Sequence, residues 1–162
     1  MAEARKAIKP GPLRRRVLHF DNLSQVLDDV CKMHACAHRS AGHWTLAQVY
    51  KHLANTFHGS IDGLLLGGHR LRRLLFGRRI LAWTLKHGIP PGVTLDPRLN
   101  PPADCDFDTS FVELERSVAK YSAYRGRLKP HPVFGRLNRA SWDRLHCFHC
   151  AHHLSFIVPD ES

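Results

Sequence analysis

The sequence predicts an all-α protein built as a helical bundle. Apolar residues recur at helical spacing in five separate segments, and stretches with proline or glycine separate these segments. Two of the segments begin with a capping-box pattern. No stretch alternates apolar and polar residues as a half-exposed strand would. We therefore expect five amphipathic helices joined by loops, packed around one core.

The N-terminal segment, residues 1–17, is basic, interrupted by proline and without helical periodicity. This composition predicts a flexible arm that is dispensable for folding. Residues 18–162 are then a single domain, long enough to bury a core of their own. The arm has no apolar segment of the kind that a secretory signal needs. We therefore expect a cytoplasmic protein whose five cysteines are reduced.

The first two helices are predicted from capping residues followed by periodic apolar positions. The first begins near Asp21 or Asn22, both good N-caps, and runs to about Ala37. The second follows Thr45, which opens a capping-box pattern, and extends to about residue 63.

The third and fourth helices lie on either side of a long loop. The third is predicted at about 69–86, where two consecutive prolines soon stop it. Residues 89–105 contain five prolines and form a loop of a length that is usually functional or mobile. The fourth helix begins near Thr109, with a second capping-box pattern from Ser110, and ends by Gly126.

The last helix, at about 138–157, carries the pattern that most directly indicates a function. If each residue advances about 100° around the helix, four residues lie within about 40° of His149; they are Trp142, Leu145, His153 and Phe156. Two imidazoles one turn apart on an apolar stripe are costly to bury unless their nitrogens find partners. A metal ion can serve both rings at once, because side chains at i and i+4 lie one above the other.

Two other histidines and two cysteines of this helix are weaker candidates. His146 and His152 flank the stripe at about 60° on either side and are reserve ligands. Cys147 and Cys150 form a C-x-x-C, but in mid-helix and without the second C-x-x-C of a zinc knuckle. The alternative for the whole stripe is a pair of hydrogen-bonded core histidines.

The formal net charge of +10 raises the question of an anionic partner. The arginines cluster in the arm and on the third helix, at Arg70, Arg72, Arg73, Arg78 and Arg79. No nucleic-acid-binding motif is present, and aromatic residues are not interleaved with the arginines. We interpret the run as a solvated helix face, and an anionic small molecule is a second explanation. We do not expect nucleic acid as a partner.

Three stretches resemble the DinB superfamily of metal-dependent proteins. They are G-H-W-T-L-A-Q-V-Y-K-H-L-A at 42–54, P-H-P-V-F-G-R-L at 130–137 and S-W-D-R-L-H-C-F-H-C-A-H-H-L-S-F at 141–156. The resemblance extends from about residue 20 to 158, and the middle stretch is typical of one branch of the superfamily. It implies a DinB-like four-helix bundle with an additional short helix and long proline-rich loops.

The resemblance also implies a divalent metal, zinc or nickel, bound by His52, His149 and His153. The last two agree with the stripe on the last helix, whereas His52 lies about 125° from the centre of the apolar face of its own helix. Three protein ligands leave a coordination position open, as in catalytic sites. We take His131 and Trp142 as candidates for binding the substrate.

The function that this resemblance implies is that of a metalloenzyme, such as a thiol-dependent transferase or isomerase. Its partner is then a small molecule, for example a low-molecular-weight thiol, and a homodimer is one possible assembly. No segment is long and apolar enough to predict a membrane span. The alternative is a non-catalytic binding module that uses the basic surface for an anionic ligand or nucleic acid.

Overall fold

The computed structural model describes residues 13–65, 70–88 and 96–160, with side chains of residues 70–74 outside the description. Within these ranges the chain forms five α-helices: α1 (Leu23–Ala35), α2 (Leu46–Asp62), α3 (Arg70–His87), α4 (Phe107–Ala123) and α5 (Arg139–Leu154). A 3₁₀ turn at Pro97–Leu99 and two short strands, β1 (His38–Ser40) and β2 (Ile157–Pro159), complete the described chain. The fold is therefore mostly helical, as predicted. The four-helix bundle arrangement remains a prediction.

Helix α2 supplies much of the core. Its residues Tyr50, Leu53 and Phe57 are fully buried, and α4 packs along it with Leu114 and Tyr121. Helices α1 and α5 contact each other, and each also contacts one of the other two helices. Burial of this apolar surface is the main force that holds α2 in place. Any side chain on α2 is consequently held on a rigid support.

The N-terminal end of α2 confirms the capping prediction. The Thr45 hydroxyl accepts a hydrogen bond from the Gln48 backbone N–H at 3.2 Å, and the Gln48 side chain accepts one from the Thr45 N–H at 2.9 Å. Helix α4 begins at Phe107, two residues before the predicted start near Thr109, because Asp106 caps that helix and accepts from the Thr109 N–H at 2.7 Å. Carboxylates are strong N-caps, and Asp106 begins the helix before the Ser110 pattern is reached.

The expectation that the chain has no strands was also wrong. Strands β1 and β2 pair antiparallel, with Arg39 opposite Val158 at the centre. Three-residue strands are too short to show an alternating pattern in the sequence. Because β1 lies between α1 and α2 while β2 follows α5, the pairing joins the end of α5 to the connection that enters α2.

Helix α3 has 18 residues and is the longest of the five described helices. Its buried face is marked by Gly77, where an added Cβ would lie 2.3 Å from the backbone oxygen of Phe134. The helix therefore packs directly against the turn at residues 131–135, in which Gly135 has a φ of 72°. Within the described part of the chain, no helix has the length and apolar character to cross a membrane.

Residues near the predicted end of the arm contact the end of α5. The Arg16 backbone N–H donates to the Ser155 carbonyl at 2.8 Å, and its guanidinium makes a bidentate ion pair with Asp29. The Arg15 guanidinium donates to the Ser155 hydroxyl at 2.7 Å and lies 3.8 Å from the centre of the Phe156 ring. Most of the predicted arm lies outside the described residues, and the boundary at residue 17 remains a prediction.

Candidate metal centre

His52 is buried on α2, with 7% of its surface exposed, although the periodicity of that helix predicted a marginal position. Its Nδ1 lies 2.8 Å from the backbone carbonyl oxygen of Leu99. A carbonyl oxygen can only accept a hydrogen bond, so Nδ1 carries the proton. The lone pair of the neutral ring is therefore on Nε2, which points away from Leu99 toward α5.

The segment that covers His52 is residues 96–102, which we call the strap. It includes the 3₁₀ turn and runs antiparallel to α2. The side chain of Gln48 donates to the Pro102 carbonyl at 3.2 Å, and that of Asn55 donates to the Arg98 carbonyl at 3.2 Å. With the Leu99 contact between them, successive turns of α2 each hold one carbonyl of the strap. A non-helical segment thus buries the side of α2 that a helical wheel assigns to solvent.

His149 and His153 approach His52 from α5. The Nε2 atom of His149 lies 3.2 Å from Nε2 of His52 and 2.8 Å from Nε2 of His153. The three ligand atoms all lie within 4.8 Å of one another. Among the residues that the structure describes, this is the only group of three His, Cys, Asp or Glu side chains placed to share an ion. The structure therefore brings together the three predicted ligands, in a group that can hold a metal.

Burial favours the neutral form of all three rings. It lowers the pKa of His52, and it lowers the pKa of His149 well below the ordinary value. For His153, burial and then the charge of His52 lower the pKa to about 2. Neutral imidazoles have a free lone pair, so at physiological pH the group is in the protonation state that metal binding needs.

The donor atoms suit a divalent ion in kind, and two of their three separations can be compared with those of a zinc site. For zinc–nitrogen bonds of about 2.0–2.1 Å in a tetrahedral site, two ligand nitrogens lie about 3.3 Å apart. The His149–His52 separation of 3.2 Å matches this value, and the His149–His153 separation of 2.8 Å is somewhat shorter. An N–H at Nε2 of His149 can donate a hydrogen bond to only one of the other two nitrogens. In the metal-free protein at least one of these close nitrogen pairs is therefore left without a hydrogen bond. A shared cation satisfies all three nitrogens.

Trp44 covers one side of the histidine group, although sequence analysis did not identify it as a site residue. Its ring stacks on His153 with centroids 5.4 Å apart and an interplanar angle of 16°, and it lies 4.8 Å from the His52 ring. Trp44 directly precedes the Thr45 cap, so the start of α2 fixes its position. The indole restricts access to the group from this side.

The other predicted site residues lie elsewhere. His146 and Trp142 are buried one turn and two turns before His149, with ring centroids 5.2 Å apart, and His131 meets Trp142 edge-on at 5.5 Å. His131 Nδ1 accepts from the backbone N–H groups of Val133 and Phe134, so this ring holds its own turn. Nothing in these contacts tests the proposal that His131 and Trp142 bind a substrate. Neither reserve ligand, His146 nor His152, is part of the three-histidine group.

The cysteines of α5 do not contribute to the group. Cys147 and Cys150 are buried, and burial raises the pKa of both thiols, to about 11 for Cys147. A thiol that stays protonated is a poor ligand and a poor nucleophile. The C-x-x-C is therefore part of the packing of α5.

Comparison with known proteins places the chain in a family. No curated protein and no solved structure shows significant similarity to it. A family of proteins, however, matches residues 13–160, which include α1 to α5, the strap and all three histidines. This match covers most of the 162 residues. The chain belongs to the family described as "Protein of unknown function (DUF1569)".

Proposed function

We propose that this protein binds one divalent transition-metal ion through the Nε2 atoms of His52, His149 and His153. The observation that carries the proposal is the convergence of three imidazole nitrogens, from one buried and two half-buried rings, and the Leu99 carbonyl fixes the tautomer of the buried one. Metal-binding histidines commonly donate their second N–H to a carbonyl or carboxylate in this way. A buried histidine with a structural role can satisfy its nitrogens with ordinary hydrogen bonds and does not require two further imidazole nitrogens beside its lone pair.

Zinc and nickel are the ions that we propose, because imidazole suits both. Three protein ligands leave at least one position for an exchangeable molecule, which is the arrangement of catalytic sites. A bound ion would lower the pKa of a water or thiol in that position and so supply a nucleophile near neutral pH.

The reaction that we propose is the transfer or isomerisation of a group with the help of a low-molecular-weight thiol. Its support is the likeness of residues 42–54 and 141–156 to the DinB superfamily, to which we propose that the DUF1569 family is related. The role of this chain's residues is to hold the ion in α2 and α5 and to limit solvent access through Trp44 and the strap. The positive net charge of the chain favours a thiol that carries carboxylates.

The second candidate function is a non-catalytic module that binds an anionic ligand. The observation in its favour is the exposed basic face of α3, where Arg78, Arg79 and Lys86 all face solvent. Binding to such a face should weaken steeply as salt rises. Metal-dependent turnover of a small molecule should depend on salt far less.

The test of the metal site is the metal content of protein purified without a polyhistidine tag and dialysed against a weak chelator. We expect about one ion per chain in the wild type and almost none in His149→Ala, because Nε2 of His149 contacts both other rings. His152→Ala is the matched control, since it removes an imidazole of the same helix that is outside the group. Full retention of metal in His149→Ala, or its loss only in His152→Ala, would overturn the assignment.

The open position is tested separately by cobalt substitution. Cobalt(II) bound to three imidazoles and a water gives visible bands whose intensity reports the coordination number. A low-molecular-weight thiol that takes the open position adds a sulfur-to-metal band in the near ultraviolet. If cobalt binds but thiols leave the spectrum unchanged, the metal site stands and the thiol-dependent reaction does not.

A further inference from the structure

The strap contains an acidic side chain, Asp96, that is not a candidate metal ligand. The carboxylate of Asp96 is fully buried, with no exposed surface, on a segment that is otherwise partly open to solvent. Buried carboxylates are rare unless they are paired and hydrogen-bonded. Asp96 is not a member of the three-histidine group. Its burial therefore needs another explanation.

The hydrogen bonds of Asp96 hold the strap in its conformation. Oδ1 accepts from the Arg98 backbone N–H at 3.0 Å, which caps the 3₁₀ turn. Oδ2 accepts from the Arg98 guanidinium at 2.6 Å and from the Leu65 backbone N–H at 2.8 Å. Leu65 follows the end of α2, so this last bond fixes the start of the strap to the helix that carries His52. The hydrogen bonds from Arg98 also keep the pKa of Asp96 well below its usual range, so the carboxylate stays ionised.

The position of the Leu99 carbonyl depends on this turn. Leu99 is the last residue of the 3₁₀ turn that Asp96 caps, and its backbone N–H donates to the Asp96 carbonyl at 3.0 Å. The Leu99 carbonyl accepts the proton of His52 Nδ1. A turn that loses its cap and its anchor leaves this carbonyl free to move, and His52 then loses the contact that selects its tautomer.

We infer that Asp96 is a positioning residue for the metal centre, which acts through the strap to keep the lone pair of His52 on Nε2. The inference rests on the proposed function for its effect on metal binding. Its effect on the His52 tautomer is independent of any metal. Asp96 contacts none of the three ligand rings, so it acts only through the Leu99 carbonyl and the turn.

The experiment compares Asp96→Ala with Asp104→Ala in the full-length chain. Both changes remove one carboxylate, but Asp104 is exposed and lies just beyond the strap. The first measurement is the tautomer of His52 in metal-free protein, from long-range ¹H–¹⁵N correlation spectra. We expect the Nδ1–H tautomer in wild type and in Asp104→Ala, and a mixture of tautomers in Asp96→Ala. The second is zinc affinity by competition with a chelator, which Asp96→Ala should weaken by about 10–100-fold.

The outcomes separate this inference from the proposed function. If the wild type binds no zinc but Asp96→Ala changes the tautomer of His52, the metal proposal fails and the positioning role of Asp96 stands. If Asp96→Ala leaves the tautomer unchanged and zinc affinity within about twofold of wild type, far short of the expected loss of about 10–100-fold, the inference is overturned.

A second variant, which makes a milder change to the same contact, keeps the test decisive if Asp96→Ala does not fold. Arg98→Ala removes the exposed guanidinium that clamps the carboxylate and leaves the backbone cap in place. It should shift the tautomer and the affinity in the same direction by a smaller factor. An unchanged tautomer and unchanged affinity in a folded Arg98→Ala protein would overturn the inference equally.

Discussion

Replacing His146 by phenylalanine should make the stability of the metal-free protein less dependent on pH. The imidazole is stacked between Phe57, at a centroid distance of 4.1 Å, and Trp142, at 5.2 Å, and it meets the edge of Tyr121 at 4.7 Å. Its Nε2 is buried and has no hydrogen-bond partner among the residues that the structure describes. Phenylalanine keeps the stacking and removes the polar atom.

At pH 7.5 the net effect of His146→Phe should be small. Removing a buried, unpaired polar atom stabilises a protein by about 1–3 kcal/mol. The larger phenylalanine ring must fit into a packed core, and this destabilises the protein by about 1–3 kcal/mol, a similar amount. The stability at this one pH is therefore not diagnostic, and the comparison across pH is.

The dependence on pH follows from the pKa of His146, which burial lowers to about 3. In the unfolded chain a histidine titrates near 6.5, so the unfolded state takes up the proton first as the pH falls. The free energy of unfolding therefore decreases as the pH falls below about 6.5. The decrease ends where His146 takes up a proton in the folded state as well. Between pH 7.5 and pH 5 this one residue should cost the wild type about 2 kcal/mol, at about 1.4 kcal/mol per pH unit.

The assay is urea unfolding at pH 7.5, 6 and 5, in the presence of a chelator. His146→Phe should lose about 2 kcal/mol less than wild type over this range, because its contribution to the linkage is absent. The control is His19→Phe, which makes the same replacement at an imidazole that is exposed to solvent. Parallel pH profiles for wild type and His146→Phe would show that the buried ring is not neutral in the way that its environment indicates.

Two further predictions concern contacts made by the middle of α3 and the middle of α1. Gly77→Ala should destabilise the protein by about 1–2 kcal/mol, since the clash with the Phe134 carbonyl outweighs the better helix propensity of alanine. A variant that is more stable than wild type in thermal melts would contradict the close approach of α3 to the Phe134 carbonyl. Arg16→Ala should cost about 1–3 kcal/mol in urea unfolding, because it leaves the mostly buried Asp29 carboxylate without its bidentate partner; a change below about 0.5 kcal/mol, as for an ordinary surface residue, would show that the contact is not stabilising.

Features that depend on neighbouring residues were predictable from the sequence. The Thr45 capping box and the Asn138 cap of α5 each need only a side chain and a backbone N–H three residues later. The pairing of His149 with His153 needs only the pitch of one helix. For α4, two local capping patterns competed, and the sequence alone did not show that Asp106 would prevail.

The burial of His52 could not be predicted from α2, because the strap that covers it is distant in sequence and has no periodicity. Leu99 lies 47 residues away, and only its backbone carbonyl takes part in the contact. A helical wheel assumes that only the apolar face of a helix is buried and that the opposite face meets solvent. A loop that covers the opposite face makes this assumption wrong. The resemblance of residues 42–54 to a family supplied His52 where periodicity did not.

The stacking of Trp44 on the histidine group makes this residue an optical reporter. An open-shell ion such as nickel(II), copper(II) or cobalt(II) quenches the fluorescence of an indole a few ångströms away, whereas zinc(II) does not. The centre of the indole ring lies 5.4 Å from that of the His153 ring and 4.8 Å from that of the His52 ring. Titration of the protein with these ions can therefore be followed by its own emission. The Trp44→Phe variant then separates this signal from that of the other two tryptophans.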